Sequence, residues 1–312
     1  MMGYIGRRLL QVIPTLLGVI VVTFFLMRMI PGDPTTMSGG QTITEETRTR
    51  LRKEWHLDQP AYVQLWYFVK GIPTGDLGMS WKYSNTPVRE LIADAFVNTL
   101  KLGTAAFILS LVLGLSLGIL AALLKDTWVD RTILAVALIG ISTPVFVVGI
   151  GLIILAVSVG FKCISGTGAD EGIDFRYLIL PAVTLGSRSI AYLCRMTRSS
   201  IVEVANADFL RTARAKGLTK LKVVFKHQLR NAMIPITTVI GLNFADYLTG
   251  AILTETVFQW PGIGFLVRKS IEARDIPTIM GVVLFVTFLF VLINFVVDIL
   301  YAMFDPRIRY SS

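Results

Sequence analysis

Residues 102–124 read LGTAAFILSLVLGLSLGILAALL, an uncharged run held between Lys101 and Lys125. As a helix it is roughly 34 Å long at about 1.5 Å per residue, enough for a hydrocarbon core of about 30 Å. Its apolar residues do not alternate with polar ones as a lipid-facing barrel strand requires, so the run is read as helix. Gly114 and Gly118 lie four apart on one face, where a second helix can approach closely. Lys101 stands near the end of the run, where its amine can reach the headgroup layer.

Outward from this run, comparable segments lie near 9–30, 133–159, 178–197, 235–257 and 279–303, and the central run itself extends over 98–124. A 312-residue chain that is 54% hydrophobic and only 16% charged is an integral membrane protein rather than a soluble domain. The expectation is therefore an all-α, polytopic membrane protein of six spans. Arg7 and Arg8 precede the first span, but the run is too long for a signal peptide, and Ile30 to Pro34, IPGDP, is no small-residue cleavage site; it is read as a retained helix. Pro144 interrupts the third span and Pro181 starts the fourth. The two cysteines, Cys163 and Cys194, suggest neither a disulfide framework nor a zinc site and are read as small buried residues.

Charge sets the orientation. The N-terminal segment carries two Lys and Arg, the loop at 125–132 two, the loop at 195–234 nine and the tail two; the opposite loops at 160–177 and 254–278 carry two and three. Both termini are then cytoplasmic. The loop at 31–97, with seven basic and eight acidic residues, falls outside by parity. Within it TITEETRTRLRKEWHL, 42–57, reads as helix, with Thr42 and Glu45 as a capping box and Pro60 or its neighbours as the end.

Topology alone does not account for RTARAKGLTKLKVVFKHQLRNAMIP, Arg211 to Pro235, which holds seven cations and no acid. Taken as one helix over 210–230, it places Arg211, Lys216, Lys220, Lys222, Lys226 and Arg230 on one half and Leu210, Ala213, Gly217, Leu221, Val224 and Phe225 on the other; Arg214 is the exception. Such a helix can lie on anionic lipid or dock on a partner protein. Nucleic acid fits poorly, since one Phe is all the loop has for stacking.

Several segments together resemble the binding-protein-dependent ATP-binding-cassette importer permeases of the dipeptide, oligopeptide and nickel type, in the form of the first permease subunit. They are YIGRRLLQVIPTLLGVIVVTFFLMRMIPGDP (4–34), GDLGMS (75–80), RMTRSSIVEV (195–204), DFLRTARAKG (208–217), HQLRNAMIP (227–235), ILTETVFQWPGIG (252–264) and DPRIRY (305–310). The resemblance covers the whole chain. It implies a single permease domain over 1–312 with a type I importer fold, in the cell membrane of a prokaryote, and a cytoplasmic coupling loop at 198–234. In that loop Asp208, Arg211, Thr212, Ala213, Arg214, Ala215, Lys216, Gly217 and Leu218 would meet the ATPase subunit. It also implies the partners: a second homologous permease, two ATP-binding subunits that hold ATP and Mg, and an extracytoplasmic substrate-binding protein. The broader importer pattern begins Glu-Ala-Ala, where this chain has Arg211, Thr212 and Ala213, so the role of that Glu does not pass to Arg211. Ala213 and Gly217, one turn apart, offer a small face for close approach to a partner.

The chain has no phosphate loop of its own; AKGLTK has the wrong order, and no H-E-x-x-H or G-x-S-x-G occurs. It is expected to be no enzyme and to bind no metal or cofactor. Its substrate is expected to be a dipeptide or oligopeptide, with nickel chelates, glutathione or short glycans as alternatives. Charges within the spans, Arg188, Asp246 with Asn243 one turn before it, and Asp298, either pair between helices or line the translocation path. An acid such as Asp246 is also what a secondary transporter or an intramembrane enzyme would use, although six helices without an internal repeat suit half of a pathway better. Trp260, Pro261, Gly262 and Gly264 are expected at the extracytoplasmic mouth, the Trp at the interface and the Pro-Gly pair forming a turn.

Overall fold

The structure, a computed structural model, describes residues 2–29, 45–83, 86–161, 175–205, 207–219, 222–248 and 252–304. Among them every element of length is helical: α1 (Met2–Met29), α2 (Glu45–Glu54), α3 (Ala61–Gly71), α4 (Val88–Leu123), α5 (Trp128–Ser142), α6 (Val145–Ser158), α7 (Phe175–Val204), α8 (Asp208–Ala215), a π-helical turn (Val223–Gln228), α9 (Leu229–Leu248), α10 (Ile252–Val257), α11 (Ile263–Glu272) and α12 (Ile276–Phe304). The chain forms two compact units, one of residues 1–99 with 261–312 and the other of residues 100–260.

In the first unit α12 is the common neighbour of α1 and α11. Ile20 and Phe24 of α1 bury against Met280 and Leu284 of α12, and Val88, Ile92 and Ala95 of α4 against Ile263, Leu266 and Val282. Gly281 makes that approach close, since a Cβ there would lie 2.6 Å from Val88 Cγ1. Asp275, fully buried before α12, accepts from Ser80 Oγ at 2.5 Å, Trp81 N at 3.0 Å and Thr278 Oγ1 at 2.7 Å. Its carboxylate thereby ties the chain around Ser80 to the start of α12.

In the second unit α7 is the hub, in contact with α5, α6 and α9. The small face of α4 does meet a helix. A Cβ on Gly118 would lie 2.6 Å from Thr197 Cβ and 2.7 Å from the Cys194 carbonyl, and one on Gly114 would lie 2.8 Å from Leu193 Cβ. Cys194 is buried and free, and Cys163 lies outside the described residues.

Three helices are long and apolar enough to cross a membrane among the described residues, within Val88–Leu123, Arg176–Val204 and Ile276–Ile293. The fold is thus an all-α, multi-pass membrane fold, and several sequence expectations need correction. The third span is no single helix: α5 and α6 meet at an angle of 111°, so the clear spans number three, or four if that pair counts as one, and not six. Pro144 explains the break, because it forces Thr143 into an extended conformation, φ −85° and ψ 129°. The first expected span does form one helix, α1, Met2–Met29, 28 residues long, whose apolar part includes Pro14–Met29. In the fifth expected span, Leu229–Leu248 and Ile252–Val257 are helical, and residues 249–251 lie outside the described part. In the 31–97 loop, α2 stops at Glu54, where His56 turns left-handed at φ 53° and Leu57 N bonds back to the Arg52 carbonyl. Pro60 instead opens α3, and Thr42 lies outside the described residues.

Candidate functional site

The basic stretch is built differently from one amphipathic helix. α8 spans only Asp208–Ala215 and ends because Gly217 adopts φ 76°, the left-handed conformation that glycine takes without a Cβ penalty. Leu218 N bonds back to the Ala213 carbonyl at 3.4 Å, and Lys216 N to the Thr212 carbonyl at 3.1 Å, so the last carbonyls are satisfied. Leu218 also packs on a small core of Leu210, Ala213 and Val223, the apolar contact that accompanies this type of helix end. Lys220 and Leu221 lie outside the described residues, and the chain resumes in the π-helical turn before α9.

This geometry redistributes the faces read from the sequence. Ala213 is 6% exposed and packs within the chain, so it and Gly217 do not form one outward small face. What points outward is Phe209, Arg211, Thr212, Ala215 and Lys216, together with the exposed Gly217; the side chain of Arg214 is outside the described part. Asp208 and Arg211 pair at 3.6 Å, but with side chains 94% and 75% exposed the pair contributes little. Phe209, 43% exposed on a helix whose other large apolar side chain is buried, is a residue the sequence reading passed over.

Two buried contacts hold this loop to the rest of its unit. Gln228 Nε2 donates to the Ile201 carbonyl at 2.6 Å, fixing the π-helical turn to α7. Further along α7, Arg198 grips Asp130 through Nε at 3.1 Å and Nη2 at 2.7 Å, and the Asp126 amide donates to the same carboxylate at 3.0 Å. Asp130 is 2% exposed, so this two-pronged pair locks the start of α5 to α7. No spacing rule joins residues 68 positions apart, and the sequence reading missed the pair.

Trp260 is not an interfacial residue here. It is 1% exposed, in a cluster with Leu102, Ala106, Leu178, Ala182 and Tyr247. Gln259 just before it is left-handed at φ 50°, and Trp260 N bonds to the Glu255 carbonyl at 2.8 Å, so the end of α10 turns the indole inward. In the other unit, the Pro261 carbonyl accepts from Asn98 Nδ2 at 3.2 Å and Ile263 N donates to Thr99 Oγ1 at 2.8 Å. Gly262 there caps α11, and Gly264 is buried in its first turn. The first unit also holds a cavity of about 850 Å³ whose lining includes Arg28, Arg52, Trp55, His56, Tyr67 and Trp81. Trp55 stacks on Trp81 and His56 on Tyr67 at 4.7 and 4.6 Å between ring centres.

Of the charges within the spans, Arg188 is exposed near the middle of α7. A charge in mid-span that faced lipid would cost about 3 kcal/mol or more. Asn243 and Asp246 lie on α9 and Asp298 on α12, and their side chains are outside the described part. No group of three or more His, Cys, Asp or Glu side chains that could hold a metal occurs among the described residues.

Comparison with known proteins agrees with this architecture. A family described as "Binding-protein-dependent transport system inner membrane component" matches residues 114–310, and its N-terminal counterpart matches residues 1–103. The "Glutathione transport system permease protein GsiC" of Escherichia coli (strain K12) is 42% identical over 311 residues, covering 100% of both chains. The protein of the same name from Salmonella choleraesuis (strain SC-B67) is also 42% identical over 311 residues at full coverage. A solved structure of the MetNI methionine ABC transporter shares the fold, with a TM-score of 0.57 at 18% identity over 69% of this chain and 96% of that one. The all-α membrane fold and the two family matches, which between them take in nearly the whole sequence, lead to one assignment: the chain belongs to the binding-protein-dependent inner-membrane components, the permease subunits of ABC importers of the dipeptide, oligopeptide, nickel and glutathione type.

Proposed function

We propose that this permease forms half of the translocation path of an ATP-driven importer of glutathione. The observation that carries the substrate is the full-length 42% identity to proteins named as glutathione transport permeases. The expected dipeptide or oligopeptide substrate gives way to the glutathione alternative, itself a short peptide. As a transport component the chain is not an enzyme; ATP and Mg belong to two partner subunits, a second permease completes the path, and an extracytoplasmic binding protein delivers the substrate.

In this reading the outward face of α8, with Arg211, Thr212, Ala215 and Lys216, docks on an ATP-binding subunit, Asp208 starts that helix, and Gly217 and Leu218 set its end. Support comes from how firmly α8 is held: the Leu210, Ala213 and Val223 core and the Gln228 bond to Ile201 give a pushed helix something to push against. Both termini lie in the cytoplasm and 31–97 outside. The fifteen-to-five excess of Lys and Arg on one set of loops supports this orientation. Pro261, Gly262 and Gly264 mark the extracytoplasmic end of α11, and Arg188, Asn243, Asp246 and Asp298 are the polar groups available to the path or to interhelical pairing.

Uptake of labelled glutathione in a strain lacking this gene tests the substrate. Loss of glutathione uptake with unchanged dipeptide uptake, restored by the gene, is expected. Loss of dipeptide uptake alone would return the substrate to the peptide class.

A further inference from the structure

Arg188, Tyr192, Arg195, Ser199 and Glu203 are all exposed on α7. Their spacing of four, three, four and four residues places them on one face, within an arc of about 80° at about 100° per residue. The face starts in mid-span and runs only toward the end that leads into the basic loop. One turn the other way, Thr184 is fully buried and Pro181 is buried as well. Over 188–203 these five are the exposed residues of α7, and the other faces there are met by neighbours: Leu193 and Thr197 by Gly114 and Gly118 of α4, Ala191 by Gly140 of α5, Arg198 by Asp130, and Ile201 by Gln228.

The exposed surfaces of α4, α5 and α6 are mostly apolar. On α4 they include Ile108, Val112, Leu113, Leu117 and Leu120, and on α5 and α6 they include Val136, Ile139, Ile154 and Leu155. Those faces suit lipid, whereas a face with two arginines, a glutamate, a serine and a tyrosine does not. No ion pair joins Arg188 or Arg195 to an acid among the described residues.

We infer that this face of α7 lines the water-filled half of the path, and that Arg188 in mid-membrane and Arg195, roughly 10 Å further along the helix at about 1.5 Å per residue, form a carboxylate-binding ladder that makes the permease itself selective for anionic substrates. The inference rests on the permease reading above and deepens it. A guanidinium offers a planar fork of donors that matches a carboxylate, and two of them spaced along a helix let an anion move from one to the next. Tyr192, 47% exposed and between them, adds an amphipathic surface for the body of the solute.

Two measurements on the assembled importer test this. In the first, Tyr192→Cys in a background with Cys163 and Cys194 replaced by Ala is exposed to a sulfonate thiol reagent, MTSES, and to the trimethylammonium reagent MTSET. Labelling by both is expected, with a rate ratio favouring MTSES that falls several-fold on Arg188→Gln or Arg195→Gln. Protection from both reagents would mean that the face is packed against the second permease, and an unchanged ratio would mean that the arginines do not shape the field; either overturns the inference. This readout does not depend on which solute is carried, so it separates the ladder from the substrate assignment.

In the second, Arg188→Gln should lower uptake of glutathione by roughly tenfold or more, the loss that goes with a hydrogen bond to a charged group. The diester of glutathione, lacking both carboxylates, should be carried equally by variant and parent, and Arg188→Lys should recover part of the glutathione rate. Equal loss for acid and ester would assign Arg188 a structural role and overturn the ladder. Should the parent carry neither, the same comparison is made with tripeptides graded in charge, and absence of any charge-dependent loss has the same force.

Discussion

Gly217 offers a way to separate a turn from a docking surface. At φ 76° an L-residue has its Cβ close to a backbone carbonyl, which costs about 1–2 kcal/mol and changes a local equilibrium by a factor of about 5–30. A Cβ built there meets nothing within 4 Å, so in the permease alone Ala carries the backbone cost without a clash, and Leu carries the same backbone cost at an exposed position. Asn, which tolerates the left-handed region, should recover much of that cost. Gly217→Ala, Gly217→Leu and Gly217→Asn should therefore insert in the membrane to similar levels. If an ATP-binding subunit seats against this corner, Leu should abolish ATP-driven uptake where Ala only reduces it and Asn nearly preserves it. The assay is uptake per inserted permease, with ATP hydrolysis by the reconstituted complex measured alongside. Equal transport by the Leu and Ala variants would refute the close approach, and an Asn variant as poor as Ala would refute the assignment of the loss to backbone strain.

Gly118→Ala should loosen the packing of α4 on α7 and cost about 1–3 kcal/mol, read as a lower Tm in detergent, because its Cβ would fall 2.6 Å from Thr197 Cβ. Gly151→Ala, where nothing lies within 4 Å, is the control without a clash and should keep or slightly raise the Tm, since alanine favours a helix interior over glycine by about 1 kcal/mol. Asp130→Asn leaves the Arg198 guanidinium without its counter-charge and should cost about 3 kcal/mol; replacing both residues by Leu should recover part of the lost Tm. Gln259→Gly relieves a left-handed non-glycine residue and should raise stability by about 1 kcal/mol, less the entropy glycine adds to the unfolded chain. Val159, 72% exposed at the end of α6, tests the bent pair: Val159→Cys should be labelled from the extracytoplasmic side, and labelling from the cytoplasmic side alone would make α5 and α6 a re-entrant loop.

The long helices were legible where apolar runs are continuous, as in 102–124 and 279–303, because there composition and length alone decide. The break at Pro144 was legible as well, but not its angle of 111°, which depends on what α5 and α6 each pack against. The helix expected over 210–230 failed at one residue. A helical wheel gives Gly217 a place on a face, while the chain uses it as a left-handed stop. Trp260 was misplaced for a related reason: an aromatic next to Pro-Gly reads as interfacial, but the left-handed Gln259 swings it into a pocket of residues up to 158 positions away. The loop at 208–217 was identified by resemblance, and its inward and outward sides needed the packing of Leu210, Ala213 and Val223 to be told apart. Arg188 was read with Asp246 and Asp298 as a charge within the spans, but the face it shares with Arg195 appears only once the covered positions of α7 are known.

The π-helical turn at Val223–Gln228 sits between α8 and α9. Such a turn holds about one residue more than an α-turn, an insertion that a helix can pass along or expel at small cost in hydrogen bonds. Expelling it would wind the chain on its α8 side by about 100° and about 1.5 Å relative to α9. The linkage between α8 and α9 therefore carries built-in slack, a gear tooth's worth of phase.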